Sequence, residues 1–265
     1  MQKPPDRNRP PILFSRASYE WINRISQKHK HLISLEPSDV ERSDLTRWAE
    51  TEFACSTLRL EGFDVSRDDV AKVAASVTDY MGLGEKELTV ASLIESLRAV
   101  ETLVRDYGSK ARLTPDVLIR LRNPMGGTET FRQSMGDVTR PFKPTLPDLL
   151  PAAIENACRW FDAESFIELN PIEQAALVFL RLAEFQPFES ASDRTSLVAA
   201  SLFTMRRELP PVIIKPESQP QFRDALDEGL KMNTKPMIEL MAAAVESSLD
   251  EMIGIVERKR KETKG

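Results

Sequence analysis

The sequence predicts an all-α domain carrying one small β-hairpin. Three observations predict it. Amphipathic segments of helical period follow one another almost without interruption. Cap residues and glycines mark their ends. One stretch alone, 122–143, breaks the helical pattern.

The first dozen residues hold Pro4, Pro5, Pro10 and Pro11 and read as an extended arm, so 1–16 are set apart from the fold. Helical segments then run near 17–34, 38–61, 66–80, 85–107 and 114–121. After the break come 146–163, 170–185, 192–208, 219–231 and 235–260. Ser66 with Asp69 forms a capping-box pair, and Thr114-Pro115 and Asn170-Pro171 place a cap before a first-turn proline. Gly62 and Gly108 fall where left-handed helix stops belong, and Pro210-Pro211 ends another helix. The organisation expected is an arm, N-terminal helices over 17–110 and a core over 111–265.

The break reads "RNPMGGTETFRQSMGDVTRPFK" and holds three of the ten glycines, Gly126, Gly127 and Gly136. Alternation from Thr128 to Arg132 predicts a hairpin. A lone hairpin is marginal, so this one must lean on the helices.

Composition narrows the chemistry. Of 265 residues, 41% are hydrophobic and 29% charged, which is ordinary for a soluble globular chain. With 36 basic and 41 acidic residues, the net −5 gives no field drawing it to nucleic acid or an anionic membrane. The basic tracts "KHKH" (28–31) and "RKRK" (258–261) are read as solvated helix surface. Cys55 and Cys158 both lie in amphipathic patterns, as buried free thiols of a reducing compartment do, and no apolar run is long enough for a signal or a membrane span. A cytoplasmic location is expected. His29 and His31 are the only histidines, too few for the usual zinc site and badly placed for a serine or cysteine triad.

The centre of the fold is a pair of helices. "PIEQAALVFLRLAEF" carries an unbroken apolar run from Ala175 to Leu180, and "TSLVAASLFTM" has no charge from Thr195 to Met205. Helices apolar nearly all round are buried ones. The loop "FQPFESASDR" joins them and points into the second helix's amino terminus, a natural anion position on a rigid frame.

These residues carry a resemblance. A buried helix, a His-Pro-Phe-x-Asp-Gly-Asn-Gly-Arg loop and a second buried helix resemble the Fic (Fido-domain) family, whose members mostly transfer AMP from ATP to protein hydroxyls. "RWAETEFACSTLRLEGFDVSRDDV" resembles the family's inhibitory helix, with Thr57, Glu61 and Gly62 at the motif positions. "GGTETFRQSMGDV", with Gly127, Thr128, Phe131 and Arg132, resembles the flap hairpin, and "LPPVIIKPES" the segment after the core. The likeness runs from about 40 to about 245, and implies a Fic-like helical domain with a flap.

The loop departs from the family almost everywhere. The catalytic histidine falls on Gln186; Pro187 and Phe188 are kept. The magnesium-holding acid falls on Ser190, and Gly-Asn-Gly on Ala191, Ser192 and Asp193. The first arginine is kept as Arg194; the second, partner of the inhibitory glutamate, falls on Leu197. Glutamine cannot take a proton from an attacking hydroxyl, help typically worth ~100- to 10,000-fold. Serine is a weak ligand for a hard cation. No glycine lies between Gly136 and Gly229 to close a backbone on phosphate, and Asp193 puts a negative charge there.

Read without the resemblance, Ser190 and Asp193 form a capping box, Pro187 and Phe188 a turn and anchor, and Thr57 packs or bonds locally. Arg194 in a first turn opposes the helix dipole, which leaves Glu189, Glu61 or an acidic partner as its counter-ion. Three functions follow. One is a pseudoenzyme without AMP transfer, binding a protein partner through the flap edge by strand addition, with no cofactor. A second is an active Fic-type transferase using ATP and magnesium or another phosphorylated donor, with Glu189 or Glu184 as base. The third is an unrelated helical binding protein. No metal, nucleic acid or membrane partner is expected.

Overall fold

A computed structural model describes residues 16–76, 83–125, 130–138 and 143–264. Among them the chain is helical, with eleven α-helices and no strand. The order is α1 (Arg16–Ser34), α2 (Asp39–Leu60), α3 (Arg67–Ser76), α4 (Glu85–Tyr107), α5 (Pro115–Arg122), α6 (Leu150–Phe161), α7 (Glu164–Ile167), α8 (Pro171–Phe185), α9 (Ser192–Met205), α10 (Gln219–Leu230) and α11 (Lys235–Lys264).

The ends form where the cap residues sit. Ser38 and Glu41 make a full capping box at α2, and Asn170 with Glu173 does so at α8. The Asp69 amide donates to Ser66 Oγ, and the Val117 amide to Thr114 Oγ1. At the end of α2, Gly62 takes φ +90°; its N–H reaches Arg59 O while that of Phe63 reaches Leu58 O, a Schellman stop. A Cβ there would be strained by the backbone alone.

α8 and α9 share the most extensive contact and lie at the centre, with α4, α5, α6, α10 and α11 around them. One apolar cluster runs from Trp21 to Val256, and Phe179, Val198, Ala199 and Phe203 within it have no exposed surface. Polar ties brace the periphery. Arg98 holds Glu50 through Nε (2.6 Å) and Nη2 (2.9 Å), joining α4 to α2. Arg260 holds Glu41, joining α11 to α2. Cys55 and Cys158 are buried free thiols, and burial pushes Cys158 up to about 12, so both stay protonated and inert.

The predicted hairpin needs correction. Gly127 and Thr128 lie outside the described residues, as do 139–142. Residues 130–138, including Phe131 and Arg132, form an irregular strap rather than a strand. The reason is where its amides go. Those of Arg132, Gln133, Ser134 and Asp137 all donate to the loop after α8, which leaves them unavailable for a ladder.

Candidate functional site

The site is the α8–α9 loop with the strap laid across it and the end of α2 beside it. α8 ends at Gln186 in left-handed conformation (φ 47°). Phe188 turns inward, 5% exposed, with its ring centroid 5.8 Å from that of Phe131. Ser192 ties the loop to itself: its Oγ accepts from the Phe188 N–H (2.9 Å) and donates to the Phe188 carbonyl (2.8 Å). Ala191 then takes φ 55° and opens α9.

The expected capping box of Ser190 and Asp193 does not form. Ala191 is the N-cap and has no side chain to cap with. Ser190 is drawn off by Arg122, whose Nη2 donates to Ser190 Oγ (2.9 Å) and whose Nε donates to the Ser190 carbonyl (3.0 Å). Nothing in the sequence marked Arg122, which ends an ordinary amphipathic helix. Arg122 is 3% exposed, its guanidinium stands 5.9 Å from the Phe188 centroid, and its Nη1 has no hydrogen-bond partner among the described residues. Desolvation, then the nearby Arg194, pull its pKa down.

Arg132 fixes the strap. At 1% exposure its guanidinium donates to four carbonyls: Gln186 (2.6 Å), Ser134 (2.6 Å), Phe185 (3.1 Å) and Thr145. Gln186 is 5% exposed and bonds the Asp137 backbone twice, its Oε1 accepting from the N–H (2.7 Å) and its Nε2 donating to the carbonyl (3.4 Å). Gly136 permits this approach, since a Cβ there would lie 2.7 Å from Gln186 Oε1. Glu189 accepts from the Gln133 N–H (2.9 Å), the Ser134 N–H (3.0 Å) and the Ser134 hydroxyl. The Ser134 hydroxyl, followed by those amides, holds its carboxyl below the usual range.

Arg194 finds its counter-ion in Glu61, not Glu189. Nη2 lies 2.6 Å from Glu61 Oε2 and Nε donates to Oε1 (3.1 Å), a bidentate pair. Phe63, just past the Gly62 stop, lies 5.1 Å from the guanidinium carbon. Burial raises the Glu61 carboxyl above its ordinary value, Arg194 opposes this and Asp193 adds to it. Two clefts of about 290 Å³ each meet here, and Glu61 and Asp193 line both. The first opens onto Gln186 and the strap; the second lies against Thr57, Leu197, Phe179 and Phe222, with Thr57 and Leu197 buried.

The residues at the family's metal and phosphate positions do not fit magnesium. Ser190 Oγ is neutral and already faces a guanidinium, and among the described residues no group of three His, Cys, Asp or Glu is placed to hold a metal ion.

A helical domain with its two most buried helices joined by a strapped loop, and a glutamate-bearing helix end paired to the loop's arginine, defines a Fic-type scaffold. The comparisons agree. No family model matches the chain. It is 27% identical over 113 residues to a protein adenylyltransferase, fic-1, of Caenorhabditis elegans, covering 43% of this chain and 22% of that protein. It is 23% identical over 241 residues to the protein adenylyltransferase Fic of Nematostella vectensis, covering 87% and 55%. The chain thus spans about half or less of these relatives' length. Among solved structures it resembles Caenorhabditis elegans Fic-1 (TM-score 0.77, 20% identity, 91% of this chain and 72% of that one). It also resembles a Fic domain containing signaling protein of Bacteroides thetaiotaomicron (0.76, 17%, 88% and 98%). In sequence the chain is similar to proteins of the Fic (Fido-domain) family, and it shares their fold.

Proposed function

We propose that this chain is a Fic-fold pseudoenzyme: it transfers no AMP and acts by binding a protein partner. One observation carries the reading. At the position of the family's base stands Gln186, buried, with no proton-accepting nitrogen and with both ends of its amide engaged by Asp137. The Glu61–Arg194 pair and the Arg122–Ser190 contact support it, since each occupies a group that the family gives to phosphate or metal.

The partner engages the strap side of the first cleft. Strand addition along 130–138 does not suit the four amides already bonded to the loop, so exposed side chains there, Met135 and Val138, supply the contact. The buried thiols favour a cytoplasmic setting, and no described helix is long and apolar enough to cross a membrane.

The relatives named protein adenylyltransferases motivate the second reading, an active transferase with non-standard residues. Its proposed bases are poorly placed: Glu189 is held ionised by three donors, and Glu184 pairs with Arg181 at 2.7 Å. The raised carboxyl in the site is that of Glu61, beside Arg194. The test has two arms. Calorimetric titration with ATP and magnesium should give no saturable heat up to about millimolar ligand. Labelled ATP should leave no AMP on any protein; label that appears and is lost in Arg194→Ala defeats the pseudoenzyme reading.

A further inference from the structure

At the opposite end of α9 from the loop, about 20 Å away by helical rise, lies a cleft of about 400 Å³. Its walls come from α2, α4, the turn after α9 and α11, among them Ala49, Val104, Met205, Leu209, Pro210 and Met252. None of these six side chains can donate a hydrogen bond, and Pro210 has no N–H. Glu101 of α4 stands in this wall, half-buried. No hydrogen-bond donor and no cation among the described residues pairs with its carboxyl. Its potential partners are spent elsewhere: Arg98 on Glu50 and Glu95, Arg105 on Thr102 and Asp106. Thr46, Arg105 and Glu208 are the other polar residues of the lining. A half-buried acid without a donor is costly unless something supplies the donor.

We propose that this cleft is a second ligand site, independent of the loop, for a small organic cation. The ligand is an ammonium group on an aliphatic or aromatic body, its nitrogen on Glu101 and its body against the Leu, Met, Val and Pro surfaces. The volume lies within the range of small-molecule pockets. Burial, then Glu50 of α2, push the Glu101 carboxyl up to about 7, with Arg98 and Arg105 of α4 opposing. Arg105 lines the cleft as well as opposing the shift, Glu208 in the turn after α9 is its other charged group, and α11 contributes only Met252. Binding of the cation therefore strengthens as pH rises through neutrality.

The test titrates the full chain with hexylamine, and with hexanol and hexanoate as neutral and anionic counterparts, by calorimetry at pH 6 and pH 8. Hexylamine should bind saturably below about 10 mM at pH 8, about tenfold tighter than hexanol, and more weakly at pH 6. Glu101→Gln, which removes a poorly solvated charge and so keeps the fold, should erase that preference. Ala49→Leu, which fills the cleft, should weaken both ligands. Absence of saturation, equal affinity for hexanol, or an unchanged amine preference in Glu101→Gln would each overturn the proposal.

Discussion

Replacing Arg132 by methionine keeps an unbranched apolar stem and deletes the guanidinium that anchors the strap, leaving the strap's backbone amides in place. Four carbonyl oxygens lose their partner, those of Gln186, Ser134, Phe185 and Thr145. Hydrogen bonds to a charged group contribute about 1.5–3 kcal/mol each, but bonds sharing one guanidinium are not additive. Desolvation offsets part of the gain, as the lowered Arg132 pKa indicates. The net loss expected is about 3 kcal/mol, from buried carbonyls left unsatisfied. Urea unfolding followed by circular dichroism measures it. Amide exchange at Gln133, Ser134 and Asp137 should quicken in parallel, because the strap loses its anchor. A loss under about 0.5 kcal/mol with unchanged exchange would refute the role assigned to Arg132.

Other consequences are as direct. Gly136→Ala drives a Cβ into Gln186 Oε1 at 2.7 Å and toward Pro144 at 3.1 Å; a cost of about 1–3 kcal/mol is expected in the melting curve, with faster exchange at Asp137. Ser190→Asp restores the acid of the family motif, yet here it meets Arg122 with its unpartnered Nη1; a gain of about 1 kcal/mol that does not depend on magnesium is expected, and a magnesium-dependent rise in Tm would contradict it. The Arg260 guanidinium, then the Ser38 amide, hold Glu41 down at about 2. A depressed folded pKa stabilises above the ordinary carboxylate value and is lost as pH falls toward 2, so Glu41→Gln should flatten the acid limb of the urea midpoint against pH.

Much of the fold was legible because helices are local objects. The ends of α2 and α8 form where Ser38, Gly62 and Asn170 stand, since caps act within one turn. The central pair was legible because a helix apolar on all sides has nowhere to go but the core. Two predictions failed within the described residues for a non-local reason. The stretch 128–132 alternates like a strand, but the amides of the strap 130–138 are claimed by Glu189, Gln186 and Pro187, 49 to 56 residues later. The capping box of Ser190 and Asp193 failed in the same way, overruled by Arg122 from another helix.

The sequence by itself determined the succession of helices, the buried α8–α9 pair, the Gly62 stop that presents Glu61, and the loss of histidine and glycines from the loop. Those follow from periodicity, capping and the chemistry of single residues. Only the tertiary structure decided that Arg194 pairs with Glu61, that Arg132 gathers four carbonyls, that Gln186 bonds the Asp137 backbone, and that Arg122 lies buried beneath Ser190. Apart from the Arg132–Ser134 bond, these join groups far apart in the chain, and a side chain's charge or amide does not say which distant partner the fold will bring within hydrogen-bond distance.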